Sequence, residues 1–186
     1  LKLSRGLGDV YKRQTYLMCK EEYSEKVNFI PHAFPKTSFY RISNKLRESE
    51  KKRILGEKRK DNFVCLWMNR NCKRKRPADV LYSWKLFVEK LSEESKKKVT
   101  LMLHTSPEDK AGCNLFEIGY RLNILETIAF STEKVETEHI NILHNISDVC
   151  LNISFNEGFG LTTLESMMTG TPIIAVSYTH LRAHET

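Results

Sequence analysis

The sequence predicts an α/β fold, a doubly wound parallel sheet with helices on both faces. Three observations carry this reading. Phe63–Met68 is continuously apolar over strand length, as a strand buried on both faces is, and Val99–His104 reads as the next strand. The segments between such runs place apolar residues at i, i+3/i+4 and i+7, the helical period. The two patterns alternate, β-α-β-α-β-α-β-α-β, with helices of roughly 8–15 residues, as parallel strands joined by crossover helices require.

Taken in order, Val27–Pro31 reads as a short strand, followed by a turn over Pro31-His32-Ala33-Phe34. Residues 42–60 are highly charged, with Lys45, Arg47, Lys51, Lys52, Arg53, Lys58, Arg59 and Lys60, and are expected to form a solvated helix and loop. After the strand Phe63–Met68 comes a basic run, Arg70 to Arg76, and a helix opened by Pro77. Val80, Leu81, Trp84, Phe87, Val88 and Leu91 give that helix a buried stripe. The basic run therefore sits in a strand-to-helix loop, the ligand-binding edge of an open α/β sheet. Its alternative reading is a solvated basic loop. After the strand Val99–His104, a helix carries Leu115, Ile118, Leu122 and Leu125, and Ile128–Phe130 is a short strand. His104, at a strand's carboxyl end, reads either as a cleft residue or as a structural histidine. Ile140, Leu143 and Ile146 mark a short helix leading into a strand over 148–153, and Pro172–Val176 begins another strand.

Ser154 to Glu165 organises the chain. It is a glycine-bearing loop running into a helix with Leu161, Leu164, Met167 and Met168, and that helix stops at Gly170 with Pro172 beyond. A helix N-terminus offers free N–H groups and partial positive charge, which suit a phosphate. Gly158 and Gly160 let a ligand approach the backbone closely. Glu165 lies beside Leu161 and Met168 on the helical wheel, at the margin of the apolar face. A carboxylate there is costly without a hydrogen-bond partner, and a ribose diol would supply one. Glu157 lies in the loop, near where phosphates would be held.

This stretch resembles the signature of retaining glycosyltransferases with the GT-B fold, the family 4-like, group 1 enzymes that use nucleotide-sugar donors. Glu157 and Glu165 have seven residues between them, with Gly-Phe-Gly-Leu inside. Arg70 and Lys75 match the family's Arg-x4-Lys after its first strand, with Asn69 in place of the usual glycine. Residues 27–34 resemble the element that opens the C-terminal domain. The resemblance runs from about Val27 to Val176 and implies a Rossmann-like, incomplete C-terminal half of a GT-B fold. It implies transfer of a sugar from a nucleoside-diphosphate sugar to an acceptor hydroxyl, with retention and no metal or other cofactor. Arg70 and Lys75 would grip the diphosphate with the backbone around Gly158, Phe159, Gly160, Leu161 and Thr162. Glu165 would bind ribose, Glu157 the donor sugar, and Ser131 would lie near the nucleobase, with His104 lining the cleft. The acceptor, a glycan, lipid or protein, would be bound by an N-terminal domain outside this chain, so the chain alone is expected to be inactive. The parent would be cytoplasmic, with association at a membrane surface left open. The glutamate spacing argues against an epimerase or phosphorylase of the same fold.

The 186 residues suit one domain, 15–176, and at 40% hydrophobic they can bury a core. No apolar run reaches the roughly 18 residues a membrane span needs. Five cysteines, odd in number and never Cys-x-x-Cys, read as reduced thiols without a zinc site. The sequons at Asn145 and Asn152 are read as accidental. Residues 1–14 and 177–186 resemble translated sequencing-adaptor read-through and are expected to carry no evolved function. The formal charge of +7 raises a basic nucleic-acid-binding module as an alternative. Four cations against one anion in residues 1–14 account for +3 of it, and residues 42–60 lack interleaved aromatics, so no nucleic-acid partner is expected. A non-catalytic nucleotide-sugar-binding protein is the third reading.

Overall fold

The computed structural model describes residues 13–23, 28, 37–155, 157 and 160–175. The proposed tails (Arg13 and Gln14 apart), the opening element around His32, and Gly158 and Phe159 lie outside the described residues. The elements run α1 (Arg13–Tyr23), α2 (Asn44–Leu55), β1 (Phe63–Met68), α3 (Pro77–Glu89), α4 (Glu93–Lys96), β2 (Val99–His104) and α5 (Leu115–Arg121). They continue β3 (Ile128–Ser131), α6 (Thr137–Ile146), β4 (Val149–Asn152), α7 (Leu161–Thr169) and β5 (Ile173–Ala175). All strands are parallel, in the order β3-β2-β1-β4-β5. The chain winds outward from β1 to β3, then returns to the other side of β1 through β4.

Successive residues of a strand face opposite sides of the sheet. In β1, Cys65 and Trp67 enter one core with Val80, Leu81, Trp84 and Leu115, beneath α3 and α5. Val64, Leu66 and Met68 enter the other with Leu143 and Ile146, beneath α6. Both faces are covered, so the strand must be apolar throughout, as its sequence is.

Three elements differ in detail from the sequence reading. The helix expected to reach Leu125 ends at Arg121, because Asn123 adopts a left-handed φ of 55°. That turn buries Ile124 and lays Leu125 against Gly119, where a Cβ would fall 2.7 Å from Leu125 Cδ2. In α3, Val80, Leu81, Trp84 and Val88 are buried as expected, whereas Phe87 is exposed. In α7 the buried residues are Ser166 and Thr169, while Leu161 and Met167 face outward. Ser166 Oγ donates to Thr171 O at 2.8 Å and Thr169 Oγ1 to Ser166 O at 2.8 Å, so small hydroxyl side chains take the fully buried positions of this helix. Gly160 (φ 81°) and Gly170 (φ 74°) bracket this helix in the left-handed region.

The charged stretch 42–60 forms α2, but it is not simply solvated. Lys51 is buried and donates to Asp148 at 3.3 Å, and Arg47 reaches the same carboxylate at 2.7 Å. Asp148, just before β4, also accepts the Val64 N–H at 2.7 Å, while its own N–H donates to Val64 O at 2.8 Å. One carboxylate thus joins β1, β4 and α2. Nearby, Asn141 and Asn145 of α6 bond the main chain of Tyr40 and Ile42, standing in for a neighbouring strand. Both sequon asparagines are buried with their amides hydrogen-bonded, consistent with accidental sequons. Cys65 and Cys150 are buried in the sheet, and desolvation pushes both thiols up to about 12.

Asp148→Ala strands two cations and one main-chain N–H. We expect a loss of about 2–3 kcal/mol in stability, read as a lower urea midpoint at unchanged slope. A midpoint within error of the parent's would show that the node contributes nothing.

Candidate functional site

The order β3-β2-β1-β4-β5 reverses between β1 and β4, and ligands of open α/β sheets bind outside the strands' carboxyl ends at such a point. Here the loop after β1 meets the loop after β4: Phe155 N–H donates to Arg74 O at 2.7 Å. Lys73–Lys75 form a single 3-10 turn, and Arg76 takes a left-handed conformation before Pro77 starts α3. That turn directs Lys75 and Arg74 at Glu157. Lys75 Nζ bonds one carboxylate oxygen, and Arg74 Nη1 the other at 3.2 Å. Glu157 is 9% exposed. Burial pushes its carboxyl up, but hydrogen bonds from Lys75, Ser154 and Arg74 outweigh this and hold it below the usual glutamate range.

An open cleft of about 440 Å³ runs along the carboxyl ends of β1, β2 and β3 to the first turn of α7. Arg70, His104, Leu161, Thr162 and Glu165 line it. Glu157 and Lys75 are not among its lining residues. Arg70 is exposed and paired with Asp109 at 2.9 Å, and this guanidinium, with the Ala111 N–H, holds the Asp109 carboxyl low. His104 Nδ1 lies 2.9 Å from Ser131 Oγ, so Ser131 supports His104. Burial first, then the neighbouring His139 and His144, pull the His104 imidazole below its ordinary value. At α7, Thr162 Oγ1 donates to Met68 O at 3.3 Å and Asn152 Nδ2 to Thr163 Oγ1 at 3.0 Å, fixing the helix N-terminus over the ends of β1 and β4. Gly160 caps the helix without a side chain, leaving its backbone approachable.

Sequence reasoning missed several of these groups. His144 of α6 is fully buried, 3.4 Å from Glu165 Oε2 through Nε2, with Phe39 set edge-on against its ring. Its position four residues after Ile140 put it on the apolar face, a signal that was available. Asn71 is fully buried, donating to Ser106 O, Pro107 O and Cys113 O and so tying the β1 loop to the loop after β2. Gly112 is required beside it, since a Cβ there would fall 2.0 Å from Asn71 Oδ1. No spacing rule marks Asn71, Asp109 or Arg74. Among the described residues, no three metal-ligating side chains converge, and no helix is long and apolar enough to cross a membrane.

A five-stranded parallel sheet, covered on both faces and open at a switch point that a helix N-terminus overlooks, is a Rossmann-like, doubly wound unit, of the kind from which GT-B glycosyltransferases are built. The chain belongs to the glycosyl transferases group 1 family, whose model matches residues 48–183. Similar solved structures include sucrose-phosphate synthase from Thermosynechococcus elongatus, 19% identical with a TM-score of 0.64, covering 90% of this chain and 40% of that one. Anabaena Alr3699/HepE in complex with UDP and glucose is 20% identical with a TM-score of 0.65, covering 84% and 40%. The C-terminal domain of the group 1 glycosyl transferase LpcC from Francisella tularensis is 20% identical with a TM-score of 0.61, covering 77% and 70%. This chain therefore spans less than half the length of the synthase and of HepE. No curated protein sequence matches it at a significant level.

The Glu157 tie gives a signed pH dependence. Its folded value lies below the ordinary 4.5, so its contribution is complete above that value and is lost as pH falls through the folded one. The stability gap between the parent and Glu157→Gln should be constant near neutrality and shrink below about pH 4.5. Urea midpoints across that range test it, and a gap flat down to the acid limit would show that Glu157 is untied.

Proposed function

We propose that this chain is the donor-binding half of a glycosyltransferase that moves a sugar from a nucleoside diphosphate to an acceptor hydroxyl, with retention at the anomeric carbon. The observation that carries the reading is the cleft at the switch point, where Arg70, the first turn of α7 and Glu165 share one wall system. The HepE structures with UDP and with UDP-glucose support a nucleotide-sugar donor.

Charge develops on the diphosphate as it leaves. In this reading Arg70, Lys75 and the N–H groups from Gly160 to Thr162 stabilise it by preorganised electrostatics, without a metal. Glu165 holds the ribose hydroxyls, its carboxylate already largely shielded beside His144. His104, braced by Ser131, lines the middle of the cleft at the end of β2. Glu157 meets the donor sugar once Lys75 turns from it toward phosphate. The acceptor is held by parts of the parent protein beyond this chain.

The nucleic-acid alternative loses ground because the basic stretch is occupied with internal acceptors. Arg47 and Lys51 meet Asp148, Lys52 and Lys60 meet Glu57, and Arg59 donates to Ile128 O and Glu126 O.

Calorimetric titration with UDP, GDP and ADP, with and without magnesium, tests the proposal. One diphosphate should bind independently of metal. Arg70→Ala and Glu165→Ala should each weaken it about tenfold, the scale of one charge-assisted hydrogen bond. A folded chain that binds none of the three, or binds duplex DNA with steep salt dependence, would overturn it.

A further inference from the structure

Two polar atoms at the carboxyl edge of the sheet are closed off from solvent without a hydrogen-bond partner among the described residues. They are Asn69 Nδ2 and Thr105 Oγ1. Asn69 directly follows β1 and Thr105 directly follows β2. Met68 and His104 are register partners, so the two residues stand side by side, one position past the last ladder pair. Both line the cleft. Their neighbours are satisfied: Asn71 bonds three carbonyls, and His104 Nδ1 meets Ser131. Trp67 and His144 also keep an unpaired nitrogen, but neither lines the cleft. A buried polar group without a partner destabilises the fold, so two adjacent ones in a ligand cleft call for a ligand-side explanation.

We propose that the Asn69 amide and the Thr105 hydroxyl together bind an oxygen of the nucleoside-diphosphate portion of the donor, phosphate or ribose, and set affinity for the nucleotide whichever sugar it carries. The inference deepens the donor-domain reading and rests on it. The amide nitrogen only donates, while the hydroxyl donates or accepts, so an oxygen with two lone pairs satisfies both. The amide χ2 torsion is broad, so turning it into the cleft costs little. The position selects the nucleotide over the sugar. The cleft runs from Leu161 and Thr162 across the ends of β1 and β2 to Thr132 and Lys134, and the two groups lie midway. Glu157, assigned above to the donor sugar, lies outside that wall. The glycine usual at position 69 in the resembling family has no side chain to offer, so this contact would belong to this chain.

Thr105→Val and Asn69→Ala in the full chain test the idea by two readouts. Calorimetry with the diphosphate that binds, and with its sugar conjugate, should show each variant weakened about tenfold for both ligands alike. Ligand-free thermal denaturation should show Tm unchanged or raised, because each substitution removes an unpaired group. Affinities within about twofold of the parent's would overturn the inference while leaving the donor reading intact. So would a loss confined to the sugar conjugate. A lowered ligand-free Tm in both variants would show that the atoms have protein partners, and would overturn it without any ligand. A parent chain that binds no nucleoside diphosphate would remove the donor reading and this inference together.

Discussion

The fold hangs on the seam between β1 and β4. It is the place where the chain, having wound out to β3, returns to the centre of the sheet, and it is short. Two register pairs join β1 to β4, Cys65 with Val149 and Leu66 with Cys150, against six joining β1 to β2. Each end of the seam is closed by a carboxylate held by two cations. At the amino end Asp148 gathers Arg47, Lys51 and the Val64 N–H. At the carboxyl end Glu157 gathers Lys75 and Arg74, while Phe155 N–H meets Arg74 O. The first end is structural and needs no exchange. The second stands at the carboxyl ends of the strands, and in the proposed reading its cations are those a phosphate would compete for.

That difference fits the surroundings. Lys51, on the inner side of α2, is buried against Asp148, and neither residue lines the cleft. Arg74 and Lys75 sit on a one-turn 3-10 segment, a short element that can alter without disturbing the sheet. An ion pair of partly buried groups gains little net stability over its desolvation cost, so giving it up to a doubly charged ligand is a modest step. The rest of the site is firmer. Asn71 stitches the β1 loop to the β2 loop through three carbonyls, and Thr162 and Asn152 clasp the start of α7.

The architecture was legible because each strand is bounded by its own chemistry. Apolar runs gave β1 and β2 residue for residue, and Gly170 with Pro172 ended α7 as expected. The limits of helix reading were physical. Leu122 and Leu125 keep the helical spacing of α5, yet Asn123 turns left-handed so that Ile124 can be buried, and periodicity carries no record of that gain. In α7 the apolar residues marked a face that is partly outward, because Ser166 and Thr169 pair their hydroxyls with local carbonyls and pack closely. At the site, the motif residues Arg70, Glu165 and Thr162 share one cleft, and Lys75 pairs with Glu157. It could not show that Arg70 is engaged by Asp109 or Glu165 faced by His144, since those partners lie far away in sequence and follow from topology alone.

The placement of the cysteines sorts them by chemistry. Cys65 and Cys150 are locked in the sheet with thiols pushed up to about 12, so they supply almost no thiolate near neutrality. Cys72 and Cys113 instead sit in the loops after β1 and β2, on either side of the Asn71 stitch, with Cys113 Sγ 3.9 Å from Asn71 Oδ1. A mild alkylating reagent applied to the folded protein is thereby steered away from the core. Apart from Cys19 on α1, the sites left to it are the half-buried Cys72 and Cys113, the latter slowed because burial pushes its thiol up as well, so the labelling rate becomes a gauge of how tightly the two loops that frame the cleft are held.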